Sequence, residues 1–83
     1  MRVTVLFFAQ ARERAGCAST TLELPEGSRI EDARAAIARS HPALEPLWPH
    51  LALAVNGELA RAGTPIGPGA ELALLPPVSG GRG

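Results

Sequence analysis

The stretch Arg2–Phe8 (RVTVLFF) carries bulky apolar side chains on both of its alternating faces, which leaves a short chain few ways to bury it. Val3, Val5 and Phe7 point one way, while Leu6 and Phe8 point the other. β-Branched and aromatic residues favour extended backbone, so the stretch reads as a strand. A strand apolar on both sides is either central in a covered sheet or presents one face to a partner. With 83 residues the chain has room for one small domain. Its apolar share of 46% overstates the available bulk, because 15 of those residues are alanine.

The remaining elements follow from local signals. Ala9–Ala15 is rich in helix formers, and Gly16 falls where a left-handed C-terminal cap belongs. Thr20–Leu24 alternates as a second strand, with Leu22 and Leu24 inward, and Pro25-Glu26-Gly27 is a turn. The spacing suits an antiparallel pair of these two strands. Ser28-Arg29-Ile30-Glu31 has the form of a capping box and opens the main helix. Ile30, Ala33 and Ile37 line one helical face, and Pro42 ends the helix near Ser40 or His41. Residues 42–50 (PALEPLWPH) hold three prolines and the Trp, and read as an ordered loop whose Leu44, Leu47 and Trp48 lid the core. Leu51–Val55 is a third strand. Asn56-Gly57 is a two-residue hairpin turn of type I′ leading into Glu58–Arg61. Glu71–Leu75 is the last strand, stopped by Pro76-Pro77.

This order predicts an α+β fold: a mixed sheet of four to five strands, its two most apolar strands adjacent at the centre, with one main helix on one face. That is the β-grasp, or ubiquitin-like, arrangement. It assigns residues 1–78 to the domain and 79–83 to a C-terminal tail.

Charge and composition exclude several classes. Eight arginines balance eight acidic residues, so the chain lacks the basic face of a nucleic-acid binder. No stretch reaches the length of a membrane span. The N-terminus opens as a strand and not as a signal peptide, so a cytoplasmic location is expected. One cysteine allows no internal disulfide and no multi-thiolate metal site. Cys17 has no His or acid at motif spacing and reads as a small half-buried residue. His41 and His50 flank prolines with no third ligand, so loop or surface roles are expected for both. No bound cofactor or metal is expected.

The C-terminal residues stand apart. Val78-Ser79-Gly80-Gly81 follows the last strand with almost no side chains to pack. Glycine lets a backbone enter a slot too narrow for a Cβ. Such an arm suits a carrier whose reactive group is a main-chain carboxylate, although a bare diglycine is more often a frayed end.

Three segments decide between these readings: VLFFAQARERAG at 5–16, AVNGEL at 54–59 and PPVSGG at 76–81. With them the chain resembles the small sulfur-carrier subunits of molybdopterin synthase, the MoaD/ThiS group. The resemblance spans nearly the whole chain and is most specific at PPVSGG. It implies the β-grasp fold and a defined chemistry. An E1-like adenylating enzyme uses ATP to activate the carboxylate of Gly81, which is otherwise ionised and a poor electrophile. A sulfur donor protein then converts it to a thiocarboxylate. The tail, with Gly80 and Gly81 at its tip, enters the large synthase subunit and gives sulfur to cyclic pyranopterin monophosphate. The large subunit supplies the catalytic side chains.

The resemblance also implies that the region around Phe8, Leu59, Leu75, Pro76, Pro77, Val78 and Ser79 contacts both the large subunit and the activating enzyme. Leu6 belongs to the same face by parity. These residues either complete the core or form an apolar patch beside the tail. One departure stands out: Arg82-Gly83 follows the diglycine. Gly81 then carries a peptide bond where the reaction needs a free carboxylate; either a protease cuts between Gly81 and Arg82, which is the expectation, or the chain is inactive, works otherwise or uses Gly83 itself. Alternatives are a sulfur carrier for thiazole, cysteine or tRNA thiolation, and a ubiquitin-like protein modifier. Without lysine, the chain cannot build lysine-linked chains on itself.

Overall fold

The computed structural model describes residues 1–76. The elements are β1 (Arg2–Phe7), α1 (Ala9–Ala15), β2 (Ser19–Glu23), α2 (Ile30–Ser40), a 3₁₀ helix (Pro42–His50), β3 (Ala52–Val55), β4 (Glu58–Ala60) and β5 (Glu71–Leu75). They form one mixed five-stranded sheet in the order β2-β1-β5-β3-β4. The fold is the expected β-grasp: β1 and β5 are parallel neighbours, and β1–β2, β3–β5 and β3–β4 are antiparallel.

One face of the sheet carries the core. The register sets Val5 beside Leu72 and Phe7 beside Leu74, with Leu53 across from Leu74. All but one of these are at most 2% exposed, and Leu53 is 8%. Ile30, Ala33 and Ile37 of α2 close over them, joined by Leu44 and Leu47. β1, β5 and β3 are paired on both sides, and the two strands at the centre, β1 and β5, bring the bulkiest apolar side chains to the core.

Several local expectations shift. β1 stops at Phe7, one residue early, because Ala9 turns the chain at φ 52°. The cap of α2 moves one residue on. Ser28 is buried, and its hydroxyl donates to Pro25 O at 2.6 Å, closing the preceding turn. Arg29 is the N-cap instead, its N–H donating to the Asp32 carboxylate at 2.8 Å. An isolated bridge from Arg29 to Pro65 holds that residue extended. The first helical N–H groups, of Ile30 and Glu31, donate to the carbonyls of Thr64 and Ala62 at 2.9 Å each. The connection after β4 thus supplies the acceptors a serine cap would have supplied. β4 ends at Ala60, not Arg61, whose N–H is taken by Thr64 Oγ1 at 3.0 Å.

The largest correction is at 42–50, which is a nine-residue 3₁₀ helix and not a loop. A 3₁₀ helix has three residues per turn, so residues three apart stack. Leu44 and Leu47 share one row and are buried, while Ala43, Pro46 and Pro49 share another and are exposed. The lid role of Leu44 and Leu47 holds, and Trp48 packs at the core margin with Arg34 5.1 Å from its ring centroid. His41 is the half-buried junction residue between α2 and the 3₁₀ helix, in keeping with a loop role, but its ring packs 5.2 Å from Phe7 and its Nδ1 is buried with no partner among the described residues.

The hairpin turn is as read. Asn56 (φ 50°) and Gly57 (φ 86°) both occupy the left-handed region that type I′ requires. The Asn56 side chain also accepts the Glu71 N–H at 3.0 Å, locking the turn to β5.

Candidate functional site

The site is built at the end of the sheet where β5 finishes. Because β1 and β5 run parallel, Leu75 lies beyond Phe7 at the C-terminal end of β1. β3 runs the other way, so its first residue, Ala52, sits opposite Leu75. Pro76 leaves this end of the sheet exposed to solvent. Any residue after it starts from here.

The face opposite the core is polar at the Arg2, Thr4 and Glu71 end and apolar toward the end of β5, where Ala54 is 5% exposed, Leu6 and Ala73 are half-buried and only Leu59 stands well out into solvent. Register pairs link Leu6 to Ala73, Ala73 to Ala54 and Ala54 to Leu59, making one continuous row across four strands. Ala52 and Leu75 form a second, parallel pair beside it. Alanines at the centre keep this surface low, with leucines standing at its edges. The buried helical residues Ala11, Ile30, Ala33 and Ile37 all belong to the core cluster on the other side, and none covers this row. Leu59 is 72% exposed, and Leu6 and Leu75 are half-buried. Leucines left on an uncovered sheet face are candidates for an interaction surface.

The two candidate explanations for these residues are thereby separated. Leu6, Leu59 and Leu75 share the open face and do not complete the core. Phe8 is 43% exposed at the N-cap of α1. It lines a cleft of about 430 Å³ with Leu47, His50, Leu51 and Pro76, at the same end of the molecule. The candidates Phe8, Leu75 and Pro76 thus adjoin the exit point of β5, while Leu59 lies apart on the edge strand β4, across β3 from it. Pro77, Val78, Ser79, Gly80, Gly81 and Arg82 lie outside the described residues.

Sequence reasoning missed Leu47, Leu51, His50 and the alanines of the row. Parity on β3 and β5 would have found Ala52, Ala54 and Ala73. The 3₁₀ residues carried no signal, because their row of three was hidden among prolines.

The one ion pair among the described residues joins Arg2 Nε to Glu23 Oε2 at 2.7 Å, at the opposite end of β1. Its hydrogen bond holds the Glu23 carboxyl below its usual range and the Arg2 guanidinium above its own. Cys17 is half-buried, as expected, and free. No cluster of three or more His, Cys, Asp or Glu that could hold a metal occurs among the described residues. No helix among them is long and apolar enough to cross a membrane.

Among the described residues this arrangement offers a partly open apolar face beside the exit of β5. The ThiS family model matches residues 5–81. A molybdopterin synthase sulfur carrier subunit from Chlamydomonas reinhardtii is 40% identical over 83 residues, covering 98% of this chain and all of the relative. Small archaeal modifier protein 1 from Haloferax volcanii is 38% identical, covering 89% of this chain and 94% of its own. The crystal structure of SAMP1 from that organism superposes with a TM-score of 0.86 at 35% identity, over 98% of this chain and all of that one. A chain in the complex of subunits 1 and 2 of the molybdopterin-converting factor from Helicobacter pylori matches with a TM-score of 0.71 at 28% identity. That match covers 98% of this chain and all of the other.

Proposed function

The chain belongs to the ThiS family, and from that premise we propose that it is the sulfur carrier of molybdopterin synthesis. One observation carries the reading: the open row Leu6–Ala73–Ala54–Leu59 adjoins the exit of β5, and a diglycine follows five residues after Leu75. A partner that grips the row also receives whatever the terminus carries. The Helicobacter pylori complex, in which a similar chain is joined to a second subunit, supports the large synthase subunit as that partner.

The chemistry runs through the main chain. The Gly81 carboxylate attacks the α-phosphorus of ATP on an E1-like adenylating enzyme, and pyrophosphate leaves. Sulfide delivered by a sulfur donor protein attacks the acyl carbon, and AMP leaves with the C–O bond. The resulting thiocarboxylate enters the large subunit and transfers its sulfur to cyclic pyranopterin monophosphate. Gly80 and Gly81 suit this path because a slot fitted to main chain alone excludes any Cβ. Phe8, Leu59, Leu75 and Pro76, continued by Pro77, Val78 and Ser79, form the docking stem in this reading. No cofactor is bound by the chain itself, since ATP is consumed by the activating enzyme, and the work is cytoplasmic.

Arg82-Gly83 must leave first, because an amide at Gly81 cannot be adenylated. In this reading a protease cuts between Gly81 and Arg82. The test incubates the 83-residue chain and the form ending at Gly81 with the adenylating enzyme, ATP and sulfide, followed by intact-mass analysis. The shorter form exchanges one oxygen for one sulfur and the longer does not. An unmodified shorter form contradicts the reading.

A second reading is favoured by the Haloferax relative, whose name is that of a modifier. Conjugation would join Gly81 to lysines of other proteins. The same activated terminus serves both reactions, and a lysine-linked adduct distinguishes the second.

A further inference from the structure

We propose that Ala9 is a positioning residue: its left-handed backbone fixes Phe8 beside Pro76, so that this part of the docking surface is formed before a partner arrives. The inference rests on the carrier reading above. Phe8 is extended, at φ −125° and ψ 151°, and continues the alternation of β1. Phe7 is therefore 2% exposed while Phe8 is 43% exposed. One residue later the chain must be helical, and Ala9 makes the turn at φ 52°.

The left-handed region is disfavoured for an L-residue with a Cβ. Such a conformation persists only where its surroundings over-determine it. Here they do. The Phe7 N–H donates to Ala18 O at 2.9 Å, fixing the approach. The Phe8 carbonyl accepts the Ala11 and Arg12 N–H groups at 3.1 and 3.4 Å, fixing the departure. Phe8 is thus tied on both sides of the strained residue, and its ring lines the cleft with Leu47, His50 and Pro76. Glycine would make the same turn without strain but would also allow others. Alanine has fewer backbone basins open to it than glycine, and the flanking hydrogen bonds hold it in the left-handed one, which removes an ordering cost from docking.

Three full-length variants test this: Ala9→Gly, Ala9→Asn and Phe8→Ala. Each is also made in the form ending at Gly81. Affinity for the synthase large subunit is measured by calorimetry, melting temperature by circular dichroism, and backbone order at Phe8 by NMR relaxation. Ala9→Gly should melt within about 3 °C of the parent, because relief of strain offsets the greater freedom of the unfolded chain. It should nevertheless bind about threefold to tenfold more weakly, with lower order at Phe8. Ala9→Asn should keep the parent affinity, because asparagine tolerates the left-handed region without glycine's freedom. Phe8→Ala should lose about tenfold or more. If Phe8→Ala binds like the parent, the docking surface itself is misassigned. If Phe8→Ala weakens binding while Ala9→Gly leaves affinity and order unchanged, or lowers affinity only as far as it lowers stability, the role of Ala9 is overturned.

Discussion

The two faces of the sheet use similar residues to opposite ends. On the covered face, Val5, Phe7, Leu72 and Leu74 lie beneath helical side chains and are at most 2% exposed. On the open face, Leu6, Ala73, Ala54 and Leu59 form an equally continuous apolar row, yet no helix lies over it and Leu59 is 72% exposed. The first face holds the fold together through burial. The second contributes little to folding and keeps its transfer free energy available for association. In a domain this small, an apolar sheet face left open is costly to solubility, and a binding role accounts for it.

The sharpest break of this comparison is on the covered face. Phe7→Ala should cost about 3–5 kcal/mol of folding stability, read from the denaturation midpoint, because it opens a cavity between β1, β5 and His41. A loss below about 1 kcal/mol would mean the face is not the core.

Next is the turn between β3 and the edge strand β4, which the Asn56 side chain ties to β5. Asn56→Ala should cost about 2 kcal/mol, combining left-handed strain with the lost acceptor for the Glu71 N–H. Asn56→Gly should recover the strain and leave the hydrogen-bond loss.

The open face should behave inversely. Leu59→Ser should change stability by no more than about 0.5 kcal/mol, since a surface substitution removes little buried area. The same change should weaken binding to the large subunit about tenfold, measured by calorimetry. If stability falls and binding does not, the assignment of the two faces is reversed.

The smallest effect lies far from the site. Arg2→Ala should let the Glu23 carboxyl rise toward its ordinary range, followed by NMR titration. Because folding lowers that pKa, the pair's contribution is present above the ordinary glutamate range and disappears as pH falls through the folded value. Both side chains are well exposed, at 75% and 67%, so the melting temperature at neutral pH should scarcely move.

Much of this was legible in the residues themselves. The two-sided apolar run of β1 pointed to a central strand, either covered on both faces or turned with one face to a partner; β1 is central, and Leu6 lies with Leu59 and Leu75 on the face away from the core. Asn56-Gly57 fixed a turn because few dipeptides tolerate two left-handed residues. What escaped was set by distant parts of the chain. The α2 cap moved from Ser28 to Arg29 because residues 62–65 arrive to pair there. The 3₁₀ helix was hidden because its prolines read as breakers, although a period of three tolerates them on its exposed row. The cleft beside Phe8 depends on Ala9, whose left-handed backbone no residue preference announces. The diglycine was legible as a carrier terminus only through its family context, since its chemistry resides in no side chain.

The most direct test of the central claim is intact-mass analysis of this protein recovered from cells that make molybdopterin. The account predicts a chain ending at Gly81, with a fraction carrying sulfur in place of one terminal oxygen. Recovery of only the form that retains Arg82-Gly83, in cells with active molybdopterin synthesis, would contradict it.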